Sequence, residues 1–263
     1  MSRNTPTKTL GPVTADLVAR LEERTSPTVK VDELADMIAL DRASTRFRSL
    51  LRRLIRAGWL APTSLRGVYE FVPVRAGPFP SRDRLLQLRA LAADEPDLRF
   101  QLALGSAAFL RGYADTAPTQ DYLLVDKTST PRRGLRHDFR VIRTDPRRLF
   151  GADALNGVPV STASRLLIDV ALFWRDAGDL RMRDHWVARA ARDADPKLVR
   201  RWAAKLGPPV VARVGYIAES MGVPIAGLEP PGRRTDTAFG TRGGAPFNAR
   251  WRVYDAIGIG QSL

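Results

Sequence analysis

Arg42, Arg46, Arg48, Arg52, Arg53 and Arg56 place six guanidinium groups within fifteen residues, and no Asp or Glu falls between Arg42 and Gly58. A guanidinium donates two parallel hydrogen bonds to a phosphate, or to O6 and N7 of a guanine. Ser44, Thr45 and Ser49 stand among the arginines, with hydroxyls that suit phosphate or several base edges. A helix face that is merely solvated usually interleaves acids at i+4 to gain pairing energy. The acid-free run therefore points to a polyanion, and double-stranded DNA is the partner it fits best.

Other residue groupings are weaker. Asp121 and Asp126-Lys127 in DYLLVDKTST suggest a metal-dependent nuclease. Without a spacer between Asp126 and Lys127, however, strand alternation turns them to opposite faces. Ser106 follows Gly105, but LGSAA lacks the second glycine of a nucleophile elbow, so the serine is expected to cap a helix. His137 beside Asp138, and His185 before Trp186, read as a surface pair and a structural residue. The chain has no cysteine, which excludes disulfides and thiolate zinc sites. With no phosphate-binding glycine loop or metal-ligand cluster, the expectation is a non-enzyme without catalytic residues, cofactor or metal.

The arginines must be held by a helix. At about 100° per residue, with Phe47 at zero, Leu50, Leu51 and Leu54 fall within roughly 60° and Ile55 near 80°. All six arginines fall between about 100° and 260°, with Thr45 and Ser49 among them. Gly58 ends the helix. Upstream, residues 12–24 read as a helix, Thr28 to Val31 as a short strand, and DELADMIAL from Asp32 as a second helix. Downstream, Trp59 to Ala61 and Val68 to Val72 flank a turn and read as a hairpin. Helix, strand, helix, turn, helix, hairpin is the order of a winged helix-turn-helix. Its third helix enters the major groove, so Arg42, Ser44, Thr45, Arg46, Arg48 and Ser49 are the candidates for base readout. Arg52, Arg53 and Arg56 are placed to hold phosphate, Arg66 at the hairpin tip is the wing contact, and Lys30 is a weaker candidate.

The expected fold class is α+β, with the winged helix-turn-helix in residues 1–75, a Pro/Gly linker in 76–80 and a larger mixed α/β domain in 81–263. In that second domain, residues 81–95 read as a helix, and LRFQLALGSAAFLRGY (98–113) as a strand turning into a helix. DYLLVD and FRVIRT read as strands, VSTASRLLIDVALFW (160–174) as a buried core helix, and Asp195-Pro196 as the start of a helix stopped by Gly207-Pro208-Pro209. Arg250 to Tyr254 is a late strand candidate.

The formal net charge is +14, from 42 Lys plus Arg against 28 Asp plus Glu. Residues 76–263 hold 29 of those cations and 20 of the acids, a net +9; the densest run is Pro131 to Arg136. No apolar leader or bilayer-length span is read, so a cytoplasmic protein without membrane contact is expected.

LLRRLIRAGWL followed by RGVYEFVP, then the linker, then LALGSAAFLRGYADTAP with a strand after it, resembles the AbiEi family of antitoxins. The likeness is closest to actinobacterial members that accompany nucleotidyltransferase toxins. It covers residues 12–175 well and 176–225 loosely, and in the tail it extends only to RWRVYD. It implies an autorepressor that binds its operator and neutralises a toxin encoded beside it. The arginine helix carries over as DNA-binding; toxin-contacting residues do not. Two other readings stand beside it: a stand-alone regulator whose C-terminal domain senses a small ligand, and a winged-helix-fused nuclease.

Overall fold

The computed structural model describes residues 12–63, 65–73, 83, 85–129, 138–178, 180, 186–232 and 236–261. His137, His185 and the run from Pro131 to Arg136 lie outside them. The architecture is mixed α+β. The chain divides into one compact unit of Met1–Leu98 with Thr130–His137 and a second of Arg99–Ser129 with Asp138–Leu263.

In the first unit, α1 (Pro12–Glu22), β1 (Thr28–Lys30), α2 (Val31–Met37), α3 (Thr45–Arg56), β2 (Leu60–Pro62) and β3 (Val68–Phe71) follow in order, and α4 (Leu86–Asp94) closes the unit. The sequence reading opens the second domain at residue 81, whereas α4 lies in the first unit. The strands form an antiparallel sheet in the order β1-β3-β2, with Val29 opposite Tyr69 and Ala61 opposite Glu70. Val29, Leu60 and Phe71 turn inward to meet Leu17, Leu21, Leu34, Phe47, Leu50 and Leu54, and Trp59 stacks on Phe71 at 6.4 Å.

Both ends of α3 are set by local chemistry. Ser44 Oγ accepts a bond of 3.1 Å from the Phe47 amide, a side-chain N-cap. At the other end Gly58 takes φ 74°, Trp59 N–H donates to Leu54 O, and Gly58 N–H donates to Ile55 O. That pair of bonds is a Schellman motif, and glycine is the residue that tolerates its left-handed position. α2 stops at Met37, three residues before the sequence reading ends it, and Ala39 takes φ 49° in the turn.

The second unit is built on a five-stranded sheet in the order β6-β5-β4-β8-β7. Its strands are β4 (Phe100–Leu102), β5 (Asp121–Asp126), β6 (Phe139–Thr144), β7 (Ala152–Leu155) and β8 (Val158–Ser161). Its helices are α5 (Leu104–Leu110), α6 (Ala163–Leu172), α7 (Trp186–Asp193), α8 (Pro196–Leu206) and α9 (Pro208–Ser220). A small sheet in the order β10-β11-β9 completes it, from β9 (Thr237–Phe239), β10 (Phe247–Asn248) and β11 (Val253–Asp255).

Several expectations need correction here. Val160 and Ser161 belong to β8, so the core helix begins only at Ala163, capped by Thr162. Pro208-Pro209 do not only stop α8; they occupy the first turn of α9, where a missing N–H costs nothing. Ser106 is not a cap. It lies inside α5, fully buried, and its Oγ accepts from the Tyr122 amide at 2.9 Å, tying the helix to β5.

The core of this unit carries a polar chain. Gln101 Nε2 donates to Ser161 Oγ at 3.0 Å, Ser161 Oγ to Asp169 at 2.7 Å, and Arg165 Nε to Asp169 at 2.8 Å. Arg165 and Asp169 are both fully buried, and the Arg165 guanidinium lies 4.3 Å from the centre of the Phe150 ring. Burial pushes the Asp169 carboxyl up from its usual value, while Arg165 and Ser161 pull it down.

Candidate nucleic-acid interface

α3 carries two opposed faces. Phe47, Leu50 and Leu54 are buried, whereas Arg46, Arg48, Arg52, Arg53 and Arg56 are exposed, as are Thr45 and Ser49. Burying those three apolar side chains contributes roughly 5–9 kcal/mol as an upper estimate. Against it stand the like-charge neighbours Arg48–Arg52, Arg52–Arg56 and Arg53–Arg56, which together cost about 1 kcal/mol. Packing wins, so the helix forms without a polyanion to neutralise it.

The arginines differ in what they already hold. Contrary to the sequence reading, Arg42 is not on the helix with the other five, because α3 begins only at Thr45, after the Ser44 cap. Arg42 lies in the turn before it, its Nη1 2.7 Å from Asp32 Oδ1 at the start of α2, with both side chains exposed. Arg48 donates to the carbonyl of Ala43, Arg52 Nε to the carbonyl of Arg48 at 3.3 Å, and Arg53 to Thr14 Oγ1 at 3.5 Å. Arg46 and Arg56 make no hydrogen bond or ion pair to any described residue. Ser44 is engaged by its cap, so only its hydroxyl proton is free to reach outward.

Arg46, Ser49, Arg52, Arg53 and Arg56 form one wall of a groove of about 850 Å³, and Ile38, Ala39 and Leu40 form the other, with Leu50 also lining it. The wall from the α2–α3 turn contributes no acid and no side-chain donor. No charged group lining the groove therefore competes for the guanidinium groups, and Arg52 and Arg53 are engaged only by the neutral acceptors named above. Sequence periodicity finds the arginine face; it does not find Ile38 to Leu40 across from it, because the approach of the turn depends on where α2 ends.

Arg66 is exposed at the β2–β3 hairpin tip, beside Gly67 at φ 78°. The hairpin loop is held by Thr63 Oγ1, which donates to Val68 O at 2.9 Å, and by the buried Leu65. Lys30 lies 2.6 Å from Asp94 of α4 and is thereby held to the first unit's own surface.

Of the two acids that suggest nuclease chemistry, Asp121 opens β5 and Asp126 ends it, engaged by the turn that follows. Asp126 Oδ1 accepts from both the amide and the hydroxyl of Thr128, which holds its carboxyl below the usual range. Lys127 lies 3.1 Å from Asp145. Among the described residues, no group of three His, Cys, Asp or Glu side chains is placed to hold a metal ion, and no helix is long and apolar enough to cross a membrane.

No family model matches the chain, and no curated protein matches it. Among solved structures, it is similar to the crystal structure of RV2827C protein from Mycobacterium tuberculosis, at 20% identity and a TM-score of 0.76. The match covers 97% of this chain and 95% of that one, so the two share a fold along nearly their whole lengths.

Proposed function

We propose that this chain binds double-stranded DNA through α3, as the recognition helix of a winged helix-turn-helix whose wing is the β2–β3 hairpin. The observation that carries the reading is the exposed, acid-free arginine face of α3, lining a groove with no competing charge. The element order and the β1-β3-β2 sheet support the winged-helix assignment. Arg46 near the helix N-terminus is the leading base-reading residue, and Arg52, Arg53 and Arg56 hold phosphate.

In the cell this makes the chain an operator-binding autorepressor, and by its resemblance to the AbiEi antitoxins, one that neutralises a nucleotidyltransferase toxin encoded beside it. The second unit is then the neutralising part. The test has two arms. In the first, gel shift of the chain's own upstream region is compared with that of an Arg46→Ala, Arg52→Ala, Arg53→Ala variant, and the variant is expected to lose the shift. In the second, the neighbouring reading frame is expressed alone and with each version, and both versions are expected to rescue growth. Absence of any shift with the unaltered chain sinks the DNA reading; absence of toxicity or rescue sinks the antitoxin reading.

A further inference from the structure

Resting on the DNA-binding reading, we propose that the second unit carries its own phosphate-contacting surface, formed by the outer face of α8 and the adjoining turn at Pro146–Arg148. Its occupant is the backbone of duplex DNA, held without regard to sequence.

Between Pro196 and Leu206, α8 carries Lys197, Arg200, Arg201 and Lys205 and no acid. Val199 and Ala203 are buried, while Lys197, Arg201 and Lys205 are exposed. Their spacing of four residues places the three within about 80° of one another, opposite Val199. They form a row of roughly 12 Å along the helix axis, over which B-DNA presents about seven phosphate charges. Lys197 and Arg201 make no side-chain hydrogen bond or ion pair to any described residue.

The row extends sideways. Phe150 packs edge-on against Trp202 at 5.4 Å, and Lys205 Nζ lies 5.1 Å from the Phe150 ring centre. This brings Phe150 against α8, and the exposed Arg147 and Arg148 stand three and two residues before it in the chain. Asp145 beside them is engaged by the Arg147 amide and by Lys127. Lys197, Arg201 and Lys205 thus form the row, and Arg147 and Arg148 belong to the segment whose Phe150 packs at its Lys205 end. A folded acidic protein presents scattered carboxylates, whereas an unbroken cationic row complements a uniform polyanion. Helix α3 already brings the chain to duplex DNA under the reading above.

The experiment is a salt titration of full-length chain on a 30-base-pair duplex of arbitrary sequence, followed by fluorescence anisotropy. A Lys197→Ala, Arg201→Ala, Lys205→Ala variant is expected to bind more weakly and to lower the log–log salt slope by about 2.7, or 0.9 per lost phosphate contact. Arg201→Gln alone should lower it by about 0.9 and serves as the test should the triple variant not fold. Lys197→Arg with Lys205→Arg should leave the slope in place. An α8 variant that melts like the unaltered chain and keeps its full slope, while the α3 variant loses slope, overturns this proposal and leaves the function standing. Failure of the unaltered chain to bind the duplex overturns both.

Discussion

At the scale of the residue, the arginines of α3 are tolerated rather than required by the fold. Arg52 shows this best, since it is exposed and has a like charge one turn away on each side, at Arg48 and Arg56. Arg52→Glu converts two repulsive pairs into attractive ones, so the first unit is expected to gain about 1 kcal/mol in denaturant unfolding while duplex affinity falls. A loss of stability would show that Arg52 is held by the fold after all. Asp32 works in the opposite sense, because it occupies Arg42. Asp32→Asn removes an anion from the edge of the interface and frees that guanidinium, and it should tighten duplex binding severalfold, most visibly at low salt. Binding that stays unchanged in an anisotropy titration would mean that Arg42 does not reach the DNA.

At the scale of the element, most of α3 is legible in the residues themselves. Its apolar stripe and its Gly58 stop are read from neighbouring residues, whereas the Ser44 cap, equally local, is missed because Ser44 is read there only as a base contact. The same reasoning finds β5, β6 and α8, whose alternation or capping is equally local. It misses α9, because Pro208-Pro209 reads as a stop although proline is also suited to a first turn. Nor does it find β9 and β10, each three residues or fewer, too short for a period to register. α9 also contains a contact that no pattern announces. A Cβ on Gly215 would come within 2.2 Å of the Trp251 ring, so the indole lies directly on the helix backbone. Trp251 Nε1 donates to Glu219 Oε2 one turn on, which fixes the ring in place. Gly215→Ala is therefore expected to cost about 1–3 kcal/mol by overpacking, despite alanine's better helix propensity; a thermal melt distinguishes the two signs.

At the scale of the whole molecule, the charge of +14 is not spread evenly in its effect. Many cations are already paired: Arg24 with Glu33, Arg111 with Asp153, Arg189 with Asp115, Arg252 with Asp236. The buried Arg165–Asp169 pair is internal to the second unit and contributes nothing to the surface field. Removing one partner of such a pair leaves a charge buried and uncompensated, so Arg165→Met should destabilise that unit by about 3–5 kcal/mol, and a double Arg165→Met, Asp169→Leu variant should recover much of it. Unfolding monitored by tryptophan fluorescence decides this, and a double variant no better than the single would count against the pair as the cause.

What the sequence determined by itself is the arginine helix, its polarity and its Gly58 stop, because period and stop are interactions between residues at most five apart. It also determined the excess of positive charge. Which arginines are free to bind was decided only by tertiary structure. Asp32 and Thr14 reach Arg42 and Arg53 from other helices, and Ile38 to Leu40 close the groove from the turn. The same holds for β4 beside β8, where Leu102 pairs with Val160, and for Phe150 against Trp202. Partners tens of residues apart are chosen by which surfaces can be buried together, and no local pattern encodes that choice.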